Sequence, residues 1–90
     1  MSQRIVVAAT EEACTTAVGT AKSFTEATCV RLINNGSTAR LVTVAETQSG
    51  PTLGSFTMAG NSVEFLQKRS SHVVYAADNS VLGAKVGFTN

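Results

Sequence analysis

Two cysteines (Cys14, Cys29), one histidine (His72) and six scattered acids (Glu11, Glu12, Glu26, Glu46, Glu64, Asp78) are the side chains with which this chain could do chemistry. A structural zinc site needs four thiolate or imidazole ligands, and two cysteines with a single histidine cannot supply them. The thiols could form one disulfide in an oxidising compartment. Each sits among small or apolar residues, where a free cysteine commonly behaves as a buried small hydrophobe, so reduced and buried is the expectation. A catalytic histidine needs a nucleophile and an orienting acid beside it in space. Ser70 and Ser71 directly precede His72, but neighbours on a turn rarely reach the imidazole productively, and His72 reads as a polar residue at a strand start. No carboxylate spacing suggests a pair facing across a cleft, as glycoside hydrolysis requires. The acids read as solvated surface charge.

The loop motifs are equally spare. Gly50-Pro51-Thr52-Leu53-Gly54 has neither the lysine nor the strand-to-helix setting of a phosphate loop, and Asp78-Asn79-Ser80 is too short for a calcium loop. Asn35-Gly36-Ser37 is formally a glycosylation sequon, but without a secretory signal it reads simply as turn chemistry. These residues predict no catalytic side chain, no cofactor and no metal, and therefore a protein that is not an enzyme.

The elements that carry these residues follow a strand rhythm. Short alternating runs at Thr28–Ile33, Ala39–Ala45, Leu53–Met58, Ser62–Gln67, His72–Ala77 and Ser80–Phe88 are broken every eight to twelve residues by Asn, Gly, Ser, Pro and Asp. Ile5–Ala9 reads as a first strand, and Glu12–Val18 as a second strand or a short helical turn. Six to eight strands in one 90-residue chain predict a single all-β domain over residues 1–90, an antiparallel β-sandwich of jelly-roll type. Residues 1–27, rich in Ala and Thr, would then be an N-terminal arm plus first strand with little core of its own. Asn35-Gly36 and Ala59-Gly60-Asn61 tolerate positive φ, so the runs flanking each are expected to form hairpins.

A period of two assigns faces. Val30, Leu32, Val42, Val44, Phe56, Met58, Val63, Phe65, Leu82, Ala84, Val86 and Phe88 are expected inside. Arg31, Thr43, Ser55, Thr57, Ser62, Glu64, Val81, Gly83, Lys85 and Gly87 are expected outside. On that assignment Phe65→Ala would cost about 3–5 kcal/mol.

Composition narrows the partners. Charged residues make up 14% of the chain, against roughly 25% in an average soluble domain. Twelve Thr, nine Ser and twelve Ala take their place. Small hydroxyl and methyl groups cost little side-chain entropy to bury against a neighbour, which favours an assembly subunit. A β domain following its Thr propensity would look the same. A net charge of +1 with no basic stripe argues against nucleic acid held through phosphates. No apolar run reaches the ~18 residues of a membrane span, and the five-residue run after Arg4 falls short of the ~7–15 of a signal-peptide core. The expected locale lacks a secretion step.

Three stretches carry a resemblance: Cys29-Val30-Arg31-Leu32-Ile33-Asn34-Asn35-Gly36-Ser37-Thr38-Ala39, then Gly54-Ser55-Phe56-Thr57-Met58-Ala59-Gly60-Asn61-Ser62-Val63-Glu64-Phe65-Leu66-Gln67-Lys68, then Val81 to Phe88. Over residues 28–90 the chain resembles the small β-sandwich virion proteins of marine tailed bacteriophages, cyanophages among them. Those proteins tend to read V-R-L-x-N-x-G-[ST], G-S-F-T-[LM]-A-x-G, a strand ending in Lys and a closing V-x-F strand. The resemblance implies a non-enzymatic structural subunit of the phage particle and no catalytic residue to transfer. Within that, a capsid decoration (cement) protein on the outer capsid surface is expected first, with a head–tail connector or tail subunit as the alternative. A ligand- or carbohydrate-binding β module is a reading of a different class. The implied partners are other virion proteins, the major capsid protein foremost, and copies of the chain itself. The implied location is the virion, assembled in the host cytoplasm. Ile5, Val6 and Val7 are the expected partner-binding residues, because a neighbour could seat them or pair with their strand.

Overall fold

The computed structural model describes residues 4–89, with side-chain environments for residues 6–87. The burial expected of Phe88 and the contact role expected of the Ile5 side chain lie outside the described side chains. Eight strands follow in order: β1 (Arg4–Val7), β2 (Glu12–Ala13), β3 (Cys29–Asn34), β4 (Arg40–Ala45), β5 (Thr52–Met58), β6 (Val63–Gln67), β7 (Val73–Ala76) and β8 (Val81–Thr89). All pair antiparallel, and among the described residues the helical content is one 3-10 turn at Val18–Thr20. The larger sheet runs β1-β8-β3-β6, with β2 also on β8, and the smaller runs β5-β4-β7. The all-β antiparallel sandwich expected from the alternating runs is what the chain forms.

Between the sheets Val30, Leu32, Val42, Met58, Val74, Val81 and Cys14 are fully buried. Removing each such side chain from water is worth about 1.5–3 kcal/mol. A second cluster, Ala21, Ala45 and Val73 with Val18 and Tyr75, packs on the other face of the smaller sheet. That cover explains why Thr43, expected outside, is buried: it lies beside Tyr75 in the pairing of β4 with β7.

Both expected hairpins are corners instead. β3 pairs with β6 and β8, whereas β4 pairs with β5 and β7, so the chain changes sheets at Asn34–Thr38 and again at Ala59–Ser62. Buried Asn34 explains the first crossing. Its Nδ2 donates to the carbonyls of Thr38 (2.8 Å) and Met58 (3.2 Å), and its Oδ1 accepts from the Gly36 N–H (3.1 Å). The Asn61 N–H donates to Gly36 (2.9 Å), and a Cβ on Gly60 would collide with the Ser37 backbone, so the two corners lock together. Turn residues permitted the reversal; the side-chain amide turned it across the sandwich.

Several face assignments also change. Val63 and Phe65 were expected inside but are 40% and 48% exposed, while Leu66 packs on the core. The cause is pairing: Val30 lies opposite Leu66 and Leu32 opposite Glu64, which puts Val63 and Phe65 on the outer face. In β8, Val81 and Gly83 are buried rather than outward, and Leu82 is only half-buried. Gly83 points inward because the Phe24 ring occupies the space above it, where a Cβ would sit 2.7 Å from two ring carbons. Ala84 and Val86 are buried as expected, but on the outer face, since Ala84 pairs with Arg31 and Val86 with Val7. Val44 and Phe56 are partly buried, and Arg31, Ser62 and Lys85 are half-buried rather than fully exposed.

Candidate functional site

The expected contact strand, β1, lies antiparallel along the last four residues of β8, from Arg4 opposite Thr89 to Val7 opposite Val86. β3 pairs only with Val81–Lys85, so β1 and this part of β8 continue past β3 as a two-stranded ribbon. β2 rejoins the same edge further on, with Glu12 opposite Gly83 and Ala13 opposite Leu82. Residues 9–11 therefore bulge out of what is otherwise one strand along β8. From the bulge Glu11 meets Arg31 at 3.6 Å, spanning β8 above Ala84, and Glu12 meets Lys22 at 3.5 Å. The side chains of Val6 and Val7 are 48% and 63% exposed. Backbone pairing holds this strand while its described apolar side chains meet solvent.

The rest of the N-terminal region departs from the expectation of little core. Cys14, Ala21, Phe24 and Ala27 are all buried. Of the expected Glu12–Val18 element, two residues form β2 and the helical turn begins at Val18. Lys22 and Val74 exchange backbone hydrogen bonds (3.1 and 2.8 Å), and the Ala76 N–H donates to Thr15 (3.0 Å), so residues 15–22 line the β7 edge. Phe24, Thr25 and Glu26 then take φ of 55°, 60° and 54°, a left-handed turn without glycine. Each such residue costs roughly 1–2 kcal/mol. The turn is fixed from several directions. Within it, the Ala27 N–H donates to the Ser23 carbonyl and the Glu26 N–H to Ser23 Oγ, both at 3.1 Å. From outside, Lys85 Nζ donates to Thr25 (3.3 Å) and Lys68 Nζ to Ala27 (2.7 Å). No residue type in Ser23–Ala27 announces this turn.

The titratable groups are dispersed. Cys14 and Cys29 are both free thiols. Burial pushes the Cys14 thiol up to about 11, with nearby Lys22 pulling weakly the other way, and burial also raises Cys29. A thiol held protonated in this way is a poor nucleophile. Lys68 is 8% exposed and pulled down to about 8 by desolvation, with carbonyls of Ala27 and Arg69 (3.3 Å) as its partners. Hydrogen bonding from Ser80 lowers the Asp78 carboxyl, with Arg40 3.9 Å away adding to it. His72 sits half-buried in a turn, its backbone N–H donating to the Arg69 carbonyl (3.0 Å). Among the described residues no three His, Cys, Asp or Glu gather as metal ligands, no pocket opens, and no helix is long and apolar enough to cross a membrane.

What the alternating pattern left unnoticed is a difference among the sheet edges. The four-residue link from β5 to β6 joins the outermost strands of the two sheets, so both open edges lie on one side of the sandwich. The available signal was the composition of Thr52–Met58, seven residues with no charge and no proline. No protein-family model matches the chain, and no curated protein or solved structure does either.

Proposed function

We propose that the chain is a non-enzymatic structural subunit of a bacteriophage particle, foremost a capsid decoration protein seated on the outer capsid surface through the major capsid protein. The observation that carries this reading is β1. A strand secured by its backbone to β8, with Val6 and Val7 turned to solvent, can offer apolar side chains to a neighbour without unfolding its own domain. The dispersed titratable groups and the surface of short hydroxyl and methyl side chains suit a contact role better than catalysis. A sugar-binding module is favoured less, because Tyr75 packs on the second cluster instead of standing free for stacking.

The test is re-addition of purified chain to particles, lacking it, of the phage that encodes it. The parent is expected to fill its sites, and the Val6→Asp/Val7→Asp variant, folded by circular dichroism, to lose at least tenfold in occupancy. A parent that leaves the particles bare would overturn the particle assignment. Full occupancy by the variant would overturn the role of β1.

A further inference from the structure

A sandwich of two open sheets has four edges, and an unpaired edge is a template for another strand. Here the edges are finished unequally. The outer edge of β8 is covered by β1 and β2, and that of β7 by residues 15–22. β6 is open but carries Glu64 on its inward face, opposite Leu32, and inward-pointing charge is a recognised guard against edge pairing. β5 carries no charge, and among the described residues no strand covers its outer edge. It pairs with β4 on one side, and Thr52, Leu53, Gly54, Ser55 and Thr57 are all exposed. A Cβ on Gly54 would meet nothing within 4 Å, so the sheet face is uncrowded at that position. A bulge at Leu53, where Val44 faces Gly54 and Ala45 faces Thr52, leaves Gly54–Met58 as the regular run.

We propose that this run pairs with the same run of a second copy of the chain, antiparallel about a two-fold axis at Phe56, joining two three-stranded sheets into one of six strands. The partner is a second copy because the strand is self-complementary. A strand without charge meets no like charge across the axis, and that register sets Ser55 opposite Thr57, a favourable hydroxyl pair. A two-fold uses the same patch on both copies and closes at two, so the edge is consumed instead of propagating a fibre. The inference goes beyond the particle assignment and does not depend on it. The strands involved lie on the side of the sandwich away from β1, so a dimer could still present both copies of that strand.

Sedimentation velocity of the isolated full chain over a hundredfold concentration range tests this. The expected result is a monomer at the dilute end that becomes a dimer, with amide hydrogen exchange of residues 54–58 slowing as the dimer forms. Ser55→Lys/Thr57→Lys sets like charges opposite one another and is expected to stay monomeric, as is Ser55→Glu/Thr57→Glu. An equimolar mixture of the two is expected to restore a dimer. A parent monomeric throughout would overturn the proposal, including the case in which β5 serves a strand of another protein. A dimer whose formation leaves exchange at 54–58 unchanged would overturn it too. That readout needs only the parent, so it stands even if a variant fails to fold.

Discussion

The two long sides of this sandwich are finished in opposite ways. On one side residues 4–27 run along both sheets, pairing with β8, lining β7, and sending Cys14, Phe24 and Ala27 into the core. On the other side β5 and β6 end their sheets with nothing across them among the described residues; Met58 is buried there, but Phe56 and Leu66 are only partly buried and Leu53, Val63 and Phe65 are exposed. The strained conformation of Phe24–Glu26 belongs to the closed side, where packing and four hydrogen bonds hold it. The difference separates two uses of apolar surface. Where the chain covers its own edge, apolar side chains enter the core, Val6 and Val7 of β1 excepted; where it does not, Leu53, Val63 and Phe65 stay exposed.

The sharpest way to break that comparison is to exchange the weight given to two phenylalanines. Phe24 is buried on Gly83, and Phe24→Ala is expected to cost about 3–5 kcal/mol in urea unfolding. Gly83→Ala is expected to destabilise as well, because its Cβ would overlap the ring. Phe65, on the outer face of β6, is 48% exposed, and Phe65→Ala is expected to cost under about 1 kcal/mol. Equal losses for the two would mean that the open side carries core weight.

That reversal for Phe65 shows how much of the fold was legible. Alternation located six of the eight strands nearly to their ends, because a period of two survives in any one run. The choice of face was less legible. In Val63-Glu64-Phe65-Leu66-Gln67 the set with more apolar residues looks like the buried one, yet pairing with β3 turns Leu66 inward. In β8 the inward residue is a glycine, whose missing side chain is what admits Phe24. Local sequence cannot signal space reserved for a residue some sixty positions away. Corners resembled hairpins for a related reason: Asn35-Gly36 allows a reversal, but the amide of Asn34, reaching Met58, decides between staying in the sheet and leaving it. Of the candidate contact residues, Val6 and Val7 were visible as an apolar run, while the open β5 edge depended on which other edges the N-terminal region covers.

Lys68 follows β6 and ties the end of the closing segment to the open side through Ala27, which makes pH a second probe. Its folded pKa of about 8 lies below the ordinary 10.5. Below pH 8 both states carry the charge and its burial cost is fully felt; as pH rises towards 10.5 the folded amine loses its proton first, and stability rises. Cys14 acts in the opposite sense from pH 9, where the unfolded thiol ionises while the folded one, near 11, stays protonated. The lysine contribution is therefore cleanest between pH 8 and 9. Over that one unit it can amount to at most about 1.4 kcal/mol. Denaturation of the parent is expected to show stability rising across this interval, and Lys68→Met is expected to remove the rise whatever its own stability. A slope retained in the variant would show that Lys68 is not the titrating tie.

The smallest expected effect tests whether the closed side is held by packing or by charge. Glu11–Arg31 and Glu12–Lys22 bridge the N-terminal segment to its neighbours at 3.6 and 3.5 Å, with all four side chains between 31% and 48% exposed. Exposed pairs of this kind are screened by water and salt and contribute about 0–1 kcal/mol each. The backbone pairing of β1 and β2, with Cys14 and Phe24 buried behind them, does not depend on those charges. Glu11→Gln and Glu12→Gln, singly and together, are each expected to shift unfolding by less than about 1 kcal/mol per pair removed. The parent should likewise lose little stability between low and high salt. A much larger loss in the double variant, or a steep salt dependence, would mean that the closure is electrostatic and that the N-terminal segment could detach from β8 as ionic conditions change.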